Sequence, residues 1–240
     1  LKQHPQLAKD GIRLRQIGQM IIEILSGKRI HPAWMVPGGV NDPLTEEKRS
    51  AMLKMIPDGM TIARRTYAFF KDQISKFTDE AQHFGNFPSL FLSLVTPRGG
   101  LEHYDGLIRI KDAEGNIVED MVPPDEYQRV IGEAVEPFSY MKFPYYKRHG
   151  YPNGMYRVGP LARLNNCDRC GTPFADVALA EFRTLQEARP VASSFHYHYA
   201  RLVEIIFALE TIDRLLRDPK ILDKRIRARA RSNQDEGIGV

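Results

Sequence analysis

Apolar residues recur every three or four positions along three long stretches of the chain, which predicts helices with one buried face each. The first helix is predicted over residues 6–26, and Gly27 follows it as a glycine suited to a left-handed C-terminal cap. Its apolar face comprises Leu14, Ile17, Ile21 and Ile24. Beyond it, Pro37-Gly38-Gly39 predicts a tight turn.

The second long helix is predicted after Pro57-Asp58-Gly59, which should kink or split the segment that starts at the N-cap Thr45. Its seam is Met60, Ala63, Tyr67, Phe70, Ile74 and Phe77. The third begins with Ser193 or Ser194 as N-cap and ends before Pro219. Its seam is Phe195, Tyr199, Leu202, Ile206, Leu209 and Leu216. Each seam indicates packing against another helix rather than a cofactor site.

Between the long helices the pattern changes to short apolar runs. Residues 90–95 predict a strand, and residues 107–111 and 117–121 predict a hairpin around the turn at 113–116. Asp125 is predicted to cap a short helix through about Val135.

Residues 138–166, rich in Tyr, Pro and Gly, are predicted to be irregular apart from an extended piece near 155–158. Thr172-Pro173 predicts another helix start, with threonine as N-cap and proline at the first position. Together these elements predict an α+β fold that is mainly α, a long-helix bundle core with a small inserted antiparallel sheet. Residues 87–122 form the β-rich excursion within a single unit spanning 1–240.

Composition narrows the class of protein only a little. The chain has 240 residues, 42% of them hydrophobic and 27% charged, with a formal net charge of +4. These values suit a folded protein with an ordinary core and do not require a nucleic-acid partner. No apolar run approaches the roughly 20 residues that span a bilayer, and no leader is recognisable, so no membrane partner and a cytoplasmic location are predicted.

Two separated motifs carry a family resemblance. The first is Gly27 to Val40, in which Gly-Lys-Arg precedes His31-Pro32 and the stretch ends in Gly-Gly-Val. The second is Arg-Val-Gly-Pro-Leu-Ala-Arg-Leu-Asn at 157–165, followed by Gly-Thr-Pro at 171–173. Each motif alone is weakly specific, but both occur in order and at the family's separation.

On these residues the chain resembles the large subunit of nickel–iron hydrogenases, in particular the soluble branch that includes NAD-reducing and coenzyme F420-reducing enzymes and sulfhydrogenases. The resemblance implies a helical core with β-rich excursions. It also implies that the intact subunit splits H2 at a nickel–iron centre. Electrons would leave through a small subunit with iron–sulfur clusters, and a diaphorase-type module, to NAD(P) or a similar carrier.

The family's metal ligands are four cysteines in two motifs, Arg-Xaa-Cys-Gly-Xaa-Cys and Asp-Pro-Cys-Xaa-Xaa-Cys, and neither motif occurs here. The chain is therefore predicted to be a central fragment, inactive alone, with no catalytic residue, no metal ligand and no cofactor of its own. His31 is the single candidate site residue. In the family the matching histidine lies toward the nearest iron–sulfur cluster of the small subunit.

Other candidate chemistry is weaker. Cys167 and Cys170 form a CxxC pair without the two further ligands of a structural zinc site, which favours structural thiols. His196 and His198 are two residues apart and point in different directions on a helix. Arg157 and Arg163 are each interpreted as forming a salt bridge with a carboxylate, which would pin this irregular segment.

The basic tail alternates cationic and apolar side chains. This alternation favours an extended edge strand, whose pairing partner would be missing from these 240 residues. It is less typical of an arm that binds nucleic acid. Its cationic positions are Lys224, Arg225, Arg227, Arg229 and Arg231. Two rival functions remain open. One is the quinone-site large subunit of the peripheral arm of complex I, and the other is a non-enzymatic helical interaction or nucleic-acid-binding module.

Overall fold

The computed structural model describes residues 4–186 and 190–228. Contacts divide this part of the chain into two compact units. One is discontinuous in sequence and combines residues up to Phe70 with residues from Ile205 onward. The other runs from Lys71 to Glu204. The prediction of a single unit over 1–240 stays a prediction.

The discontinuous unit begins with α1, Pro5–Ser26, which ends as predicted at Gly27 with φ 74°. The hairpin β1–β2 follows, with β1 at Met35–Val36 and β2 at Gly39–Val40, so the Pro-Gly-Gly turn is confirmed.

Helix α2, Glu46–Leu53, has Thr45 as its N-cap, since the hydroxyl accepts the amide of Lys48 at 3.3 Å. Helix α3, Ile56–Ile74, starts just before Pro57. The proline therefore splits two helices and lies in the first turn of the second, where its missing amide costs nothing. The helix ends three residues earlier than predicted, and Phe77 is exposed.

The core of this unit comes from one face each of α1, α3 and the later part of α8, which spans Tyr197–Arg217. Gly59 lies where the three helices pack tightly, because a Cβ there would lie 3.2 Å from Leu209 Cδ2 and 3.6 Å from Ile17 Cδ1. The buried apolar residues of these helices include Ile17, Ile21, Ile62, Ala63, Tyr67, Ile206, Leu209 and Leu216.

The second unit contains a four-stranded sheet in the order β5-β4-β3-β8. Strands β3 (Leu90–Val95), β4 (Leu107–Lys111) and β5 (Ile117–Val122) form the predicted antiparallel part. The short β8, Tyr156–Arg157, adds a parallel pair on the other side of β3, so the sheet is mixed. Helix α4, Thr78–His83, precedes the sheet.

The predicted helix from Asp125 to Val135 was wrong in its cap and in its second half, since Asp125 lies within a 3-10 turn, Pro124–Glu126, and no side chain caps the helix that follows. Helix α5 covers only Tyr127–Val130, and the chain continues directly into β6, Ile131–Val135. That strand pairs antiparallel over its full length with β7, Lys142–Tyr146. Pairing with the next segment of the chain outweighed the local helical spacing, because strand formation depends strongly on its partner.

Residues 138–166 are also more regular than predicted. Besides β7 and β8 they contain α6, Gly159–Asn166, which starts with Pro160 in its first turn and packs on β3. The extended piece expected near 155–158 is confirmed as β8. The α+β, mainly α class holds, with more strand than expected.

Helix α7, Pro173–Arg183, begins at the predicted proline. Thr172 lies at the N-cap position but its hydroxyl makes no cap hydrogen bond. Ser193 accepts the amide of Phe195 at 3.3 Å, which caps the turn leading into α8. Helix α8 ends at Arg217, before Pro219, as predicted.

Candidate functional site

The His31 loop, residues 27–34, joins α1 to the β1–β2 hairpin, and every residue from Gly27 to Ala33 is exposed. His31 has a φ of 50°, a left-handed conformation that is uncommon for a residue other than glycine. Ile30 and Met35 are 72% and 75% exposed, which is high for large apolar side chains. The loop therefore presents a histidine between two apolar side chains to its surroundings.

On the α1 side, two contacts hold the loop to the end of the helix. The Ser26 hydroxyl donates to the carbonyl of Lys28 at 2.8 Å. The Arg29 guanidinium donates to the Glu23 carboxylate at 2.7 Å. Both Arg29 and Glu23 are largely exposed, so this ion pair orients the loop but contributes little to its stability.

On the hairpin side, Asn41 holds the loop more firmly. Its side-chain amide donates to the carbonyl of Ala33 at 2.5 Å, and its backbone amide donates to the carbonyl of Trp34 at 2.8 Å. The Trp34 indole in turn donates to the carbonyl of Asp42 at 3.0 Å. The loop is thus closed at both ends while His31 stays exposed between them.

The second hairpin strand has a further neighbour, the tail strand of residues 226–228. The Val40 amide donates to the carbonyl of Ile226 at 3.0 Å, and the Ala228 amide donates to the carbonyl of Gly38 at 2.9 Å. The pairing is antiparallel. The expectation that the basic tail had no partner was wrong for this part of it. Its predicted continuation at Arg229 and Arg231 lies outside the described residues.

Cys167 and Cys170 lie between α6 and α7, and both are buried free thiols. A hydrogen bond with Cys167, together with burial, raises the pKa of the Cys170 thiol. Cysteine binds metal as a thiolate, so a thiol held in its protonated form is poorly suited to be a ligand. The prediction of structural thiols remains the better interpretation.

Polar groups hold the turn that contains these thiols. Asp176, in the first turn of α7, accepts the backbone amide of Cys170 at 2.6 Å. The same oxygen also accepts the backbone amide of Gly171 at 3.0 Å. Arg183, at the end of α7, donates to the carbonyl of Cys167 at 2.5 Å.

Arg109, on β4, is a deeply buried cation in the same region, with 4% of its side chain exposed. It donates to both carboxylate oxygens of Asp120 at 2.8 and 3.2 Å and to Asp168 at 3.1 Å. It also donates to the carbonyl of Asn166 at 3.1 Å. The Asn166 side chain donates to the carbonyls of Phe91 and Arg109, both at 3.0 Å. This network holds the CxxC turn against the sheet.

Glu204, on α8, is a second buried charge, with 4% of its side chain exposed. Arg163 donates to its two oxygens at 2.6 and 3.2 Å, Arg201 donates at 3.0 Å, and His103 lies at 3.3 Å. Burial alone would raise the pKa of Glu204, but hydrogen bonds from His103 and Arg163 outweigh it and lower that pKa. The carboxylate therefore stays charged at neutral pH and anchors α6 to α8.

The salt bridge expected for Arg163 is thus present, whereas Arg157 behaves differently. Arg157 donates to the Ser194 hydroxyl at 2.9 Å and to the carbonyl of Gly85 at 2.6 Å. Its guanidinium lies 4.2 Å from the ring centroid of Phe87. Within the described residues it contacts no carboxylate, so a cation–π contact, one hydroxyl and one backbone carbonyl take the place of the predicted ion pair.

The two histidines of α8 and its lead-in turn are separated by environment. His196 is buried, which lowers its pKa and keeps the ring neutral, while His198 is exposed.

Across residues 4–186 and 190–228, no group of three or more His, Cys, Asp or Glu side chains is arranged to hold a metal ion. The donors described here therefore do not fit a nickel–iron centre. Among the same residues, no helix is both long and apolar enough to cross a membrane.

The sequence interpretation missed Arg109 and Glu204. Most of their partners lie far away along the chain, at Asp168 for Arg109 and at His103 and Arg163 for Glu204. A basic residue between two isoleucines of a predicted strand was the signal for Arg109. Glu204 interrupts an apolar stretch of α8, which was the corresponding signal there.

No family model matches the sequence. Known proteins nevertheless match it along most of its length. One is a subunit of the F420-non-reducing hydrogenase vhu of Methanocaldococcus jannaschii, which is 37% identical over 236 residues, covering 98% of this chain and 56% of that protein. Another is the beta subunit of the NAD-reducing hydrogenase HoxS of Cupriavidus necator, which is 33% identical over 249 residues, covering 100% of this chain and 51% of that protein.

The fold is similar to a solved structure as well. The crystal structure of an NAD+-reducing [NiFe]-hydrogenase in the H2-reduced state matches with a TM-score of 0.90 and 40% identity. That match covers 96% of this chain and 51% of that one. The chain spans about half the length of the relatives it matches.

One part of the predicted family position needs correction. The coenzyme F420-reducing type is contradicted, because the methanogen relatives are named F420-non-reducing hydrogenases. The NAD-reducing type is represented among the relatives by sequence and by structure. Both kinds of relative match nearly the whole chain, and the chain therefore belongs to the family of nickel–iron hydrogenase large subunits.

Proposed function

We propose that the chain is part of the large subunit of a hydrogenase that oxidises H2 or reduces protons and exchanges electrons with NAD(P) or a similar soluble carrier. The observation that carries this proposal is the match to an NAD+-reducing [NiFe]-hydrogenase over 96% of the chain at a TM-score of 0.90. The 33% identity to the beta subunit of the NAD-reducing HoxS enzyme supports the same carrier class.

In this proposal the nickel–iron centre belongs to the intact large subunit, whereas its ligands lie outside the described residues. The centre, when bound, supplies the chemistry that splits H2. The described residues contribute by holding structural elements in place and by supplying buried charges. The networks around Arg109 and Glu204 give the surrounding helices and strands a fixed geometry.

The His31 loop is proposed to face the small subunit, near its closest iron–sulfur cluster. Two features support a contact role. Large apolar side chains at Ile30 and Met35 are exposed, which is typical of surfaces that a partner covers. His31 itself holds a left-handed backbone conformation, and such outliers concentrate at functional positions.

The wider assembly follows the same resemblance. A diaphorase-type module would pass electrons from the small subunit to the carrier, and the complex would act in the cytoplasm, where NAD(P) is available. Neither a nucleic acid nor a membrane is part of the proposal.

The test is production of the complete large subunit with its small subunit under anaerobic conditions. We expect about one nickel per large subunit, together with H2-dependent reduction of NAD(P)+ and no reduction of a coenzyme F420 analogue. A metal-free protein that binds a quinone would favour the complex I alternative. A complex with nickel that reduces only a different carrier would leave the hydrogenase assignment standing and overturn the carrier.

A further inference from the structure

We propose that Gly38 and Gly39 are positioning residues for the His31 loop. Because these glycines have no side chain, the tail strand, residues 226–228, can pack against the β1–β2 hairpin. The docked tail strand fixes the position of the hairpin, and the hairpin fixes the position of the His31 loop. The docking is independent of the proposed function. Its importance for electron transfer rests on the proposed role of the His31 loop.

The first step is the close approach of two backbones. A Cβ on Gly38 would overlap the carbonyl oxygen of Ala228, and a Cβ on Gly39 would overlap that of Ile226. Both glycines also have positive φ, at 87° and 154°. The obstructing atoms are backbone, which cannot turn aside as a flexible side chain does. Any other residue at these positions therefore has to displace the tail strand.

The second step is the path from the tail strand to the loop. The amide of Val40 donates to the carbonyl of Ile226 at 3.0 Å, which holds the last residue of β2. Asn41 comes next in the chain and makes both hydrogen bonds to the loop, at 2.5 Å to Ala33 and 2.8 Å to Trp34. A shift of β2 is therefore transmitted to the residues that immediately follow His31.

Trypsin cleavage reports whether the tail strand is docked. Lys224, Arg225 and Arg227 are exposed trypsin sites within or beside it. A protease needs its substrate extended and unpaired, so docking on the hairpin protects these bonds. Release of the tail strand is measurable without reference to any hydrogenase activity.

The experiment uses the complete hydrogenase complex with two variants that break the docking from opposite sides. Gly39→Ala introduces the Cβ on the hairpin. Ala228→Pro removes the amide that donates to Gly38 and leaves the hairpin sequence unchanged. Gly150→Ala is the matched control, because Gly150 has a φ of 67° but no atom within 4 Å of its Cβ position.

We expect both docking variants to cleave at 224–227, and to exchange the amide protons of Val40 and Asn41, at least about tenfold faster than the parent. We also expect H2-driven carrier reduction to fall about tenfold, while isotope exchange between H2 and water is retained. Gly150→Ala should change none of these rates. If one variant fails to assemble, the other gives the same comparison.

Two results overturn the proposal. One is a tail strand that stays protected in both variants. The other is a released tail strand with unchanged exchange at Asn41 and unchanged carrier reduction. By contrast, if His31→Ala leaves electron transfer intact while the docking variants still expose Asn41, the role of His31 in the proposed function fails. The docking itself is then supported.

Discussion

Arg163 and Glu204 form a two-point ion pair, with the Arg163 Nε and Nη2 atoms 2.6 and 3.2 Å from the two carboxylate oxygens. Arg163 comes from the Arg-Val-Gly-Pro-Leu-Ala-Arg motif on α6, and Glu204 lies on α8. Because the carboxylate is almost fully buried, removing it leaves Arg163 without its ion-pair partner, whereas removing Arg163 leaves the carboxylate with Arg201 and His103. The motif arginine therefore has a structural role that requires no ligand.

We expect Glu204→Gln to lower the free energy of unfolding by about 3 kcal/mol, because the amide leaves the buried charge of Arg163 unbalanced. Urea denaturation measures this. Asp213→Asn is the matched control, since Asp213 pairs with the largely exposed Arg217 and should cost less than about 1 kcal/mol. Equal losses for both variants would contradict the distinction drawn from burial.

Glu204 also predicts a dependence of stability on acid. Its pKa is lowered on folding, so its contribution is fully present above its unfolded pKa and is lost as pH falls through the lower folded pKa. The unfolding free energy of the parent should therefore decline more steeply than that of Glu204→Gln between about pH 5 and pH 3. Denaturant titrations at several pH values test this, and parallel curves would refute it.

Arg109→Lys should destabilise the chain by about 2–3 kcal/mol, because lysine cannot reproduce the fork that bonds Asp120, Asp168 and the carbonyl of Asn166 at once. The matched control is Arg13→Lys, at an exposed pair with Asp58, where less than about 0.5 kcal/mol is expected. A neutral effect of Arg109→Lys in chemical denaturation would show that the buried fork is dispensable.

His31→Ala in the complete enzyme should slow electron transfer about tenfold at the step into the small subunit, while nickel and iron content stay unchanged. Elemental analysis and the rate of H2-driven carrier reduction separate the two effects. Loss of nickel would give His31 a structural or metal-binding role instead. Parental electron-transfer rates would make it an ordinary loop residue.

Neither Cys167 nor Cys170 should react with a thiol reagent at about pH 8 while the chain is folded. Both side chains are buried, and the pKa of Cys170 is raised by its hydrogen bond with Cys167 and by burial. Colour release with a disulfide reagent should appear only in denaturant, with two thiols per chain. Rapid reaction of one thiol in the folded complex would indicate a redox role.

Helix ends and one hairpin were predicted correctly from the sequence, because neighbouring residues determine them. Gly27, Thr45 and Pro173 mark helix ends because capping geometry involves only a few neighbouring residues. The hairpin of β4 and β5 was also predictable, since a short polar turn separates its two apolar strands.

The errors fall where pairing between segments, rather than local propensity, decides the structure. Residues 131–135 have apolar spacing compatible with a helix, yet they pair with residues 142–146. The tail strand has no local feature that indicates residues 38–40 as its partner. The ion pairs of Arg109 with Asp168 and of Glu204 with Arg163 likewise join residues that sequence spacing alone cannot relate.

The discontinuous unit has a consequence for the order of events on the ribosome. Helices α1 and α3 leave the exit tunnel long before the later part of α8, whose Leu209 closes over Gly59. At ordinary rates of translation, the intervening residues 71–204 take on the order of ten seconds to synthesise. During that interval the faces of α1 and α3 that α8 will cover remain open to water. The core of this unit can therefore be completed only after Ile205 and the residues that follow it have been synthesised.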